Sequence, residues 1–306
     1  MFDVTALGEG MVEFNQTRAG ERTWLQGFGG DTSNAVIAAA RAGARTAYLS
    51  RVGEDDFGGT LLALWRGEGV DTSAIDRDPG APTGLYFVTH GPQGHAFSYR
   101  RAGSAASAMT PQWLLQSAPQ AVLRQTRLLH VSGISLAISP SARDTALAAM
   151  QQARAAGASV AFDANLRLKL WSLADARSGI AAAVAACDIF LPSVDDMATL
   201  HALRDAAAII DWGHAAGART VVVKLGPDGC VVSDGSRRQA IAGHRVGAVD
   251  ATGAGDCFSG NLLARLAAGD DVFTAARYAN AAAALAVQGW GAVAPLPTRD
   301  AVRKLL

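Results

Sequence analysis

The sequence predicts an α/β protein built on a mostly parallel, doubly wound sheet, with a small second sheet beside it. Three observations carry this. Short apolar runs such as Val4-Thr5-Ala6-Leu7, Ala47-Tyr48-Leu49-Ser50 and Leu128-Leu129-His130-Val131 alternate with longer stretches that are apolar at helical spacing, as in a parallel sheet wrapped by helices. Several runs close on glycine or polar residues, as in Gly8-Glu9 and Asp163-Ala164-Asn165, and in open α/β folds the carboxyl ends of strands line the ligand crevice. Residues 84–89 and 96–101 instead alternate at period two around Gly91-Pro92-Gln93-Gly94, the pattern of a hairpin. Together with the segment at 12–28, the stretch at 83–103 is expected to form a lid over a pocket in a single domain spanning 1–306.

The elements follow in order. Val12-Glu13-Phe14-Asn15 reads as an exposed strand outside the main sheet, and a helix runs from the polar cap near Asp31 through Ala44. Helices are expected at 57–67, 111–123, 140–156, 257–268 and 275–287, and strands at 159–163, 189–191, 220–224 and around 230–232.

Lys+Arg and Asp+Glu both number 27, so no overall field draws the protein to nucleic acid or to an anionic membrane. Any anion site must come from placed residues and backbone. Only Lys169, Lys224 and Lys304 are lysines. Cys187, Cys230 and Cys257 are odd in number and widely spaced, which argues against a disulfide framework or a zinc site. The N-terminus lacks the basic and apolar regions of a signal peptide, and no apolar run approaches the ~20 residues of a membrane helix. A cytoplasmic protein is expected, and an exposed edge of the lid sheet suggests a homodimer.

Chemistry concentrates in Val249-Asp250-Ala251-Thr252-Gly253-Ala254-Gly255-Asp256-Cys257-Phe258-Ser259-Gly260. The small residues stand before a helical run, where unpaired N–H groups and the helix dipole converge. Asp256 reads as a base that takes an alcohol proton while Gly253, Ala254 and Gly255 N–H groups hold charge on a transferring phosphoryl group. The alternative is a helix cap after a tight turn. Gly29-Gly30-Asp31-Thr32-Ser33-Asn34 is a second glycine turn before a helix. Period two places Phe97, Tyr99 and Arg101 on one strand face, and such a row suits an organic anion held by the guanidinium. Asp163, Asn165 and Arg167 either line the crevice or brace their loop. Lys224 at a buried strand end needs a phosphate or a neighbouring acid. Asp195 and Asp196 either hold Mg²⁺ through water or partner a helix dipole. His130 reads as a satisfied strand-end histidine, and Asn280 lies on an alanine-rich helix.

Asp250-x-Thr252-Gly253-x-Gly255-Asp256-x-Phe258-x-Gly260 and Gly29-Gly30-Asp31-x-x-Asn34 resemble the two signatures of ribokinase-like (PfkB) sugar kinases. The resemblance covers essentially the full length and implies a three-layer α/β/α ribokinase-like fold. Within the family, Gly84-Leu85-Tyr86, Phe97-x-Tyr99-x-Arg101, Val131-Ser132-Gly133-Ile134 and Phe162-Asp163-x-Asn165-x-Arg167 are most similar to the branch whose acceptor is 2-keto-3-deoxygluconate. The resemblance then implies sugar-acid contacts from Gly29, Gly30, Asn34, Tyr86, Tyr99, Arg101 and Arg167, with Asp256 activating the terminal hydroxyl. It places Ser193, Lys224, Gly226, Gly229, Gly253, Gly255 and Asn280 along ATP, Mg²⁺ near Asp196 and a monovalent cation such as K⁺ near Asp250. Two departures stand out: Ser193-Val194-Asp195-Asp196 replaces the family's Asn-x-x-Glu, and Gly289-Trp290-Gly291-Ala292 lacks an acid that some members carry near the sugar. A fructokinase-like or ribokinase-like enzyme and a catalytically idle sugar-acid-binding protein are the rival readings.

Overall fold

Parallel pairing of short buried strands organises the chain, seen here in a computed structural model that describes residues 1–91 and 94–306. The middle of the expected turn at Pro92-Gln93 lies outside the described residues. The first part runs β1 (Phe2–Leu7), β2 (Met11–Gln16), β3 (Trp24–Gly29), α1 (Asp31–Arg41), β4 (Thr46–Gly53), α2 (Asp56–Gly67), β5 (Val70–Asp71), β6 (Ile75–Asp78), β7 (Leu85–Gly91) and β8 (Gly94–Arg100). The middle runs α3 (Ser117–Arg124), β9 (Thr126–Ser132), α4 (Gly133–Ala137), α5 (Pro140–Ala155), β10 (Ser159–Asp163), α6 (Leu173–Ala186), β11 (Ile189–Leu191), α7 (Val194–His201) and α8 (Ala206–Ala215). The last part is β12 (Thr220–Lys224), β13 (Gly229–Ser233), β14 (Arg238–Ala242), α9 (Ala254–Ala267), α10 (Val272–Ala286) and α11 (Arg299–Leu305).

The large sheet has the order β14-β13-β12-β11-β10-β9-β1-β4-β5, with β6 beside the far end of β4. It is parallel from β12 to β5 and antiparallel at β13 and β14. Its strands are apolar on both faces because each face is covered. Val36, Ile37, Leu262, Leu263 and Ala279 pack on one side, and Met150, Ile180, Ile209 and Phe162 on the other. This is the three-layer α/β/α arrangement. Among the described residues, no helix is long and apolar enough to cross a membrane.

The small sheet is separate, ordered β3-β2-β7-β8. One face rests on the body through Phe14, which meets Phe57 of α2 edge-on at 5.8 Å and stacks on Phe87 at 5.5 Å. The other face carries Met11, Tyr86 and Val88. β2 is therefore outside the main sheet but not exposed, since Met11, Val12 and Glu13 are buried.

Several boundaries differ from the sequence expectation. The helix expected at 111–123 is a short turn at Trp113–Leu115 followed by α3. Pro119 is the reason: it has no N–H to donate and its ring would clash with the carbonyl four residues back, so it fits only within the first turn of a helix starting at Ser117. α1 ends at Arg41 rather than Ala44, because Gly43 turns at φ 96°. α10 begins earlier than expected, at Val272, because Asp271 caps it through Phe273 and Thr274 N–H. α9 also begins earlier, so Ala254, Gly255 and Asp256 form its first turn rather than a loop.

Candidate functional site

The parallel strands of the large sheet all end on one side, and α1 and α9 both begin there. Gly30 is the N-cap of α1 at φ 107°, and a Cβ there would lie 2.2 Å from the Glu9 carbonyl oxygen. Only glycine fits both constraints. Gly253 is the N-cap of α9 at φ 75°, with neither helix start capped by a side chain. Asn34, one turn into α1, donates from Nδ2 to Asp256 Oδ2 at 2.8 Å. The two glycine signatures thus meet at one carboxylate.

Asp256 keeps some exposed surface, yet protein surrounds it closely enough for desolvation to dominate. Its carboxyl is pushed up to about 7, by burial first and then by the charge of Asp31, against the opposing hydrogen bond from Asn34. Asp163 adds to the rise and Lys224 opposes it. A carboxyl poised near neutral pH suits a general base. Ala254 N–H donates to Ala251 O at 3.2 Å. Gly253 and Gly255 N–H show no bond to the chain among the described residues.

Behind Asp256 lies a buried polar cluster. Lys224 Nζ donates to Asp163 Oδ2 at 2.5 Å and Ser259 Oγ to the same oxygen at 2.9 Å. The neighbouring acid that Lys224 requires is therefore Asp163, and a Cβ on Gly255 would lie 3.6 Å from Lys224 Nζ. Asn165, held at φ 29°, donates to Asp31 Oδ2 at 3.0 Å. His130 is 2% exposed, and its Nδ1 has no partner among the described residues. The expected satisfied histidine is thus not satisfied at that atom, and burial holds its pKa below the ordinary value.

On the small sheet, Tyr86 and Tyr99 stack at 5.8 Å, with Phe97 6.4 Å from Tyr99. A Cβ on Gly29 would lie 2.3 Å from the Tyr86 hydroxyl, so that close approach requires glycine. Burial, and then Glu13, raise the Tyr86 pKa, with Asp256 close enough to contribute. Arg101 departs from expectation. β8 ends at Arg100, and the Arg101 guanidinium turns inward to form a buried ion pair with Glu9, whose other oxygen accepts from Ser104. Nothing local in the sequence marks Glu9 as its partner. Arg167, by contrast, is exposed and donates to Leu166 O.

Along the rim beyond Lys224, Ser193 caps α7 through Asp196 N–H. Asp196 Oδ1 accepts from Leu166 N–H at 3.2 Å, and burial raises its pKa. Gly226 is open, whereas Gly229 is pressed against the Ile241 carbonyl. Asn280 donates to the Ile241 and Ala242 carbonyls, so its amide braces β14 from within. Asp250 accepts from Thr252 N–H and Oγ–H and from Gly291 N–H. Ala292 packs directly over Gly253.

Known proteins resemble this chain over nearly its whole length. Residues 1–299 match the family described as pfkB family carbohydrate kinase. The chain is 34% identical to a 2-dehydro-3-deoxygluconokinase of Thermoproteus tenax, over 100% of this chain and 94% of that protein. It is 32% identical to a probable fructokinase-4 of Arabidopsis thaliana, over 99% and 96%. A putative ribokinase II from E. coli, solved with ATP and Mg²⁺, superposes with a TM-score of 0.90 at 25% identity, covering 99% of this chain and 98% of that one. A Vibrio cholerae fructokinase double mutant with fructose, ADP and potassium superposes at 0.88 with 28% identity, covering 99% and 97%. The chain belongs to the pfkB family of carbohydrate kinases.

Proposed function

We propose that this kinase transfers the γ-phosphoryl group of ATP to the 6-hydroxyl of 2-keto-3-deoxygluconate, giving 2-keto-3-deoxy-6-phosphogluconate and ADP. The observation that carries the chemistry is the Asn34–Asp256 pair at the start of α9. Asn34 holds one carboxylate oxygen, leaving the group aimed by a hydrogen bond that favours its ionised form. Asp256 accepts the hydroxyl proton, and the Gly253 and Gly255 N–H groups stabilise charge on the moving phosphoryl oxygens. The small sheet acts as a lid, closing Tyr86 and Tyr99 over the acceptor and keeping water from Asp256.

Lys224, Ser193, Gly226 and Gly229 would border ATP along the rim. No group of three His, Cys, Asp or Glu assembled for a metal is found among the described residues. Mg²⁺ fits as an ion held mainly by phosphate oxygens and water, with Asp196 reached through water. When bound, it supplies positive charge to the phosphates. K⁺ at Asp250 fits less well, because three chain donors already converge on that carboxylate.

The acceptor assignment is supported by the 2-dehydro-3-deoxygluconokinase relatives, with exposed Arg167 as the cation for the substrate carboxylate. A second reading, a neutral-sugar kinase, is favoured by one observation: Arg101 is already neutralised by Glu9. ADP release with 2-keto-3-deoxygluconate is to be compared with that from fructose, ribose and adenosine. Preferential turnover of a neutral sugar would overturn the sugar-acid assignment while leaving phosphoryl transfer intact.

A further inference from the structure

The chain passes between the body and the small sheet four times: through Gly10 into β2, out of β3 through Gly30, through Gly84 into β7, and out of β8 through Arg101–Ser104. All four crossings meet at one residue, Glu9. Gly10 follows it directly. A Cβ on Gly30 would lie 2.2 Å from the Glu9 carbonyl oxygen, and one on Gly84 would lie 2.6 Å from Glu9 Oε1. Arg101 pairs with Glu9 Oε2, and Ser104 Oγ donates to Oε1. The Glu9 side chain is 1% exposed and that of Arg101 is 9% exposed.

A buried ion pair is weak support for stability, since desolvation offsets its attraction. This one is also imperfectly satisfied, because Arg101 Nε finds no hydrogen-bond partner among the described residues. What the pair does is fix position. Tyr86 stands two residues after Gly84, and Tyr99 two residues before Arg101, whose guanidinium carbon lies 5.9 Å from the Tyr99 ring centre. Any tilt of the sheet at its neck is therefore passed to both tyrosines at once.

We infer that Glu9 is the positioning residue of the lid, a buried pin that holds the four crossings and sets where Tyr86 and Tyr99 stand over Asp256. This rests on the small sheet being a lid over a sugar site. It gives Arg101 a role that is independent of the acceptor's charge.

The test uses Glu9→Gln and the milder Ser104→Ala in the full chain, with ATP and either 2-keto-3-deoxygluconate or fructose. Glu9→Gln is expected to raise KM for both acceptors by ~10-fold, the scale of one charge-assisted hydrogen bond, while KM for ATP stays within about twofold. Ser104→Ala should act in the same direction by about threefold, and it carries the test if Glu9→Gln does not fold. Hydrogen exchange should quicken at residues 84–87 and 98–104 and stay unchanged in the body strands. That readout needs no acceptor, so it separates failure of the pin from failure of the substrate assignment. A KM change confined to the sugar acid, an equal rise in KM for ATP, or unaltered exchange at the neck would each overturn the inference.

Discussion

Replacing Asp256 with Asn should produce an enzyme that is both nearly inactive and more stable. The free carboxyl titrates near 3.8 in an unfolded chain and is raised to about 7 in the folded one. The folded state therefore binds more protons between those values, and stability falls as pH rises through that window. At 1.36 kcal/mol per pH unit, the full gap corresponds to about 4 kcal/mol of destabilisation above pH 7 and none below the unfolded value. Water in the cleft screens the charge, and the substitution weakens the contact with Asn34, so a gain of ~1–3 kcal/mol at pH 8 is expected. Urea unfolding of both proteins at pH 8 and pH 5 measures it, and the gain should shrink at the lower pH. In the same preparation kcat should fall by ~10²–10⁴-fold. A variant no more stable at pH 8, or a gain independent of pH, would refute the account of a desolvated carboxyl. A fall in kcat below about tenfold would refute its role as the base.

Further outcomes follow from the same cluster and from the Gly30 turn. kcat/KM should rise through about pH 7 as Asp256 ionises, and in Lys224→Met that ascending limb should move to higher pH because an opposing positive charge is gone. The same variant leaves Asp163 buried without its cation, costing ~3 kcal/mol or more in denaturant melts. Gly30→Ala places a methyl group against the Glu9 carbonyl at a φ of 107°, and thermal unfolding should report a loss of ~2 kcal/mol or more.

The two glycine turns are legible because each is written in a short run: small residues, a polar position and then a helical apolar period. The same holds for the parallel sheet, whose buried strands are short and whose helices are long enough to show their period. Contacts joining distant segments are less accessible. Local pattern marks both Asn34 and Asp256, but not the bond between them. Strand alternation places Arg101 beside Tyr99, where its guanidinium lies 5.9 Å from the ring centre, but it does not reveal that the same guanidinium pairs with Glu9. Lys224 requires an acid on general grounds, and only the adjacency of β10, β11 and β12 brings Asp163 within reach. The split before α3 is legible in principle, since Pro119 is tolerated only in the first turn of a helix.

The small sheet is made of two excursions from the β/α winding, while Asp256 and the two glycine turns sit on the rim of the large sheet. On the proposed reading, the two tyrosines that close over the acceptor can thus be varied on one piece of backbone while the proposed base stays on the other. Such a separation would let one scaffold stand, as this chain does, at about the same sequence distance from enzymes named for a sugar acid and for a neutral ketose.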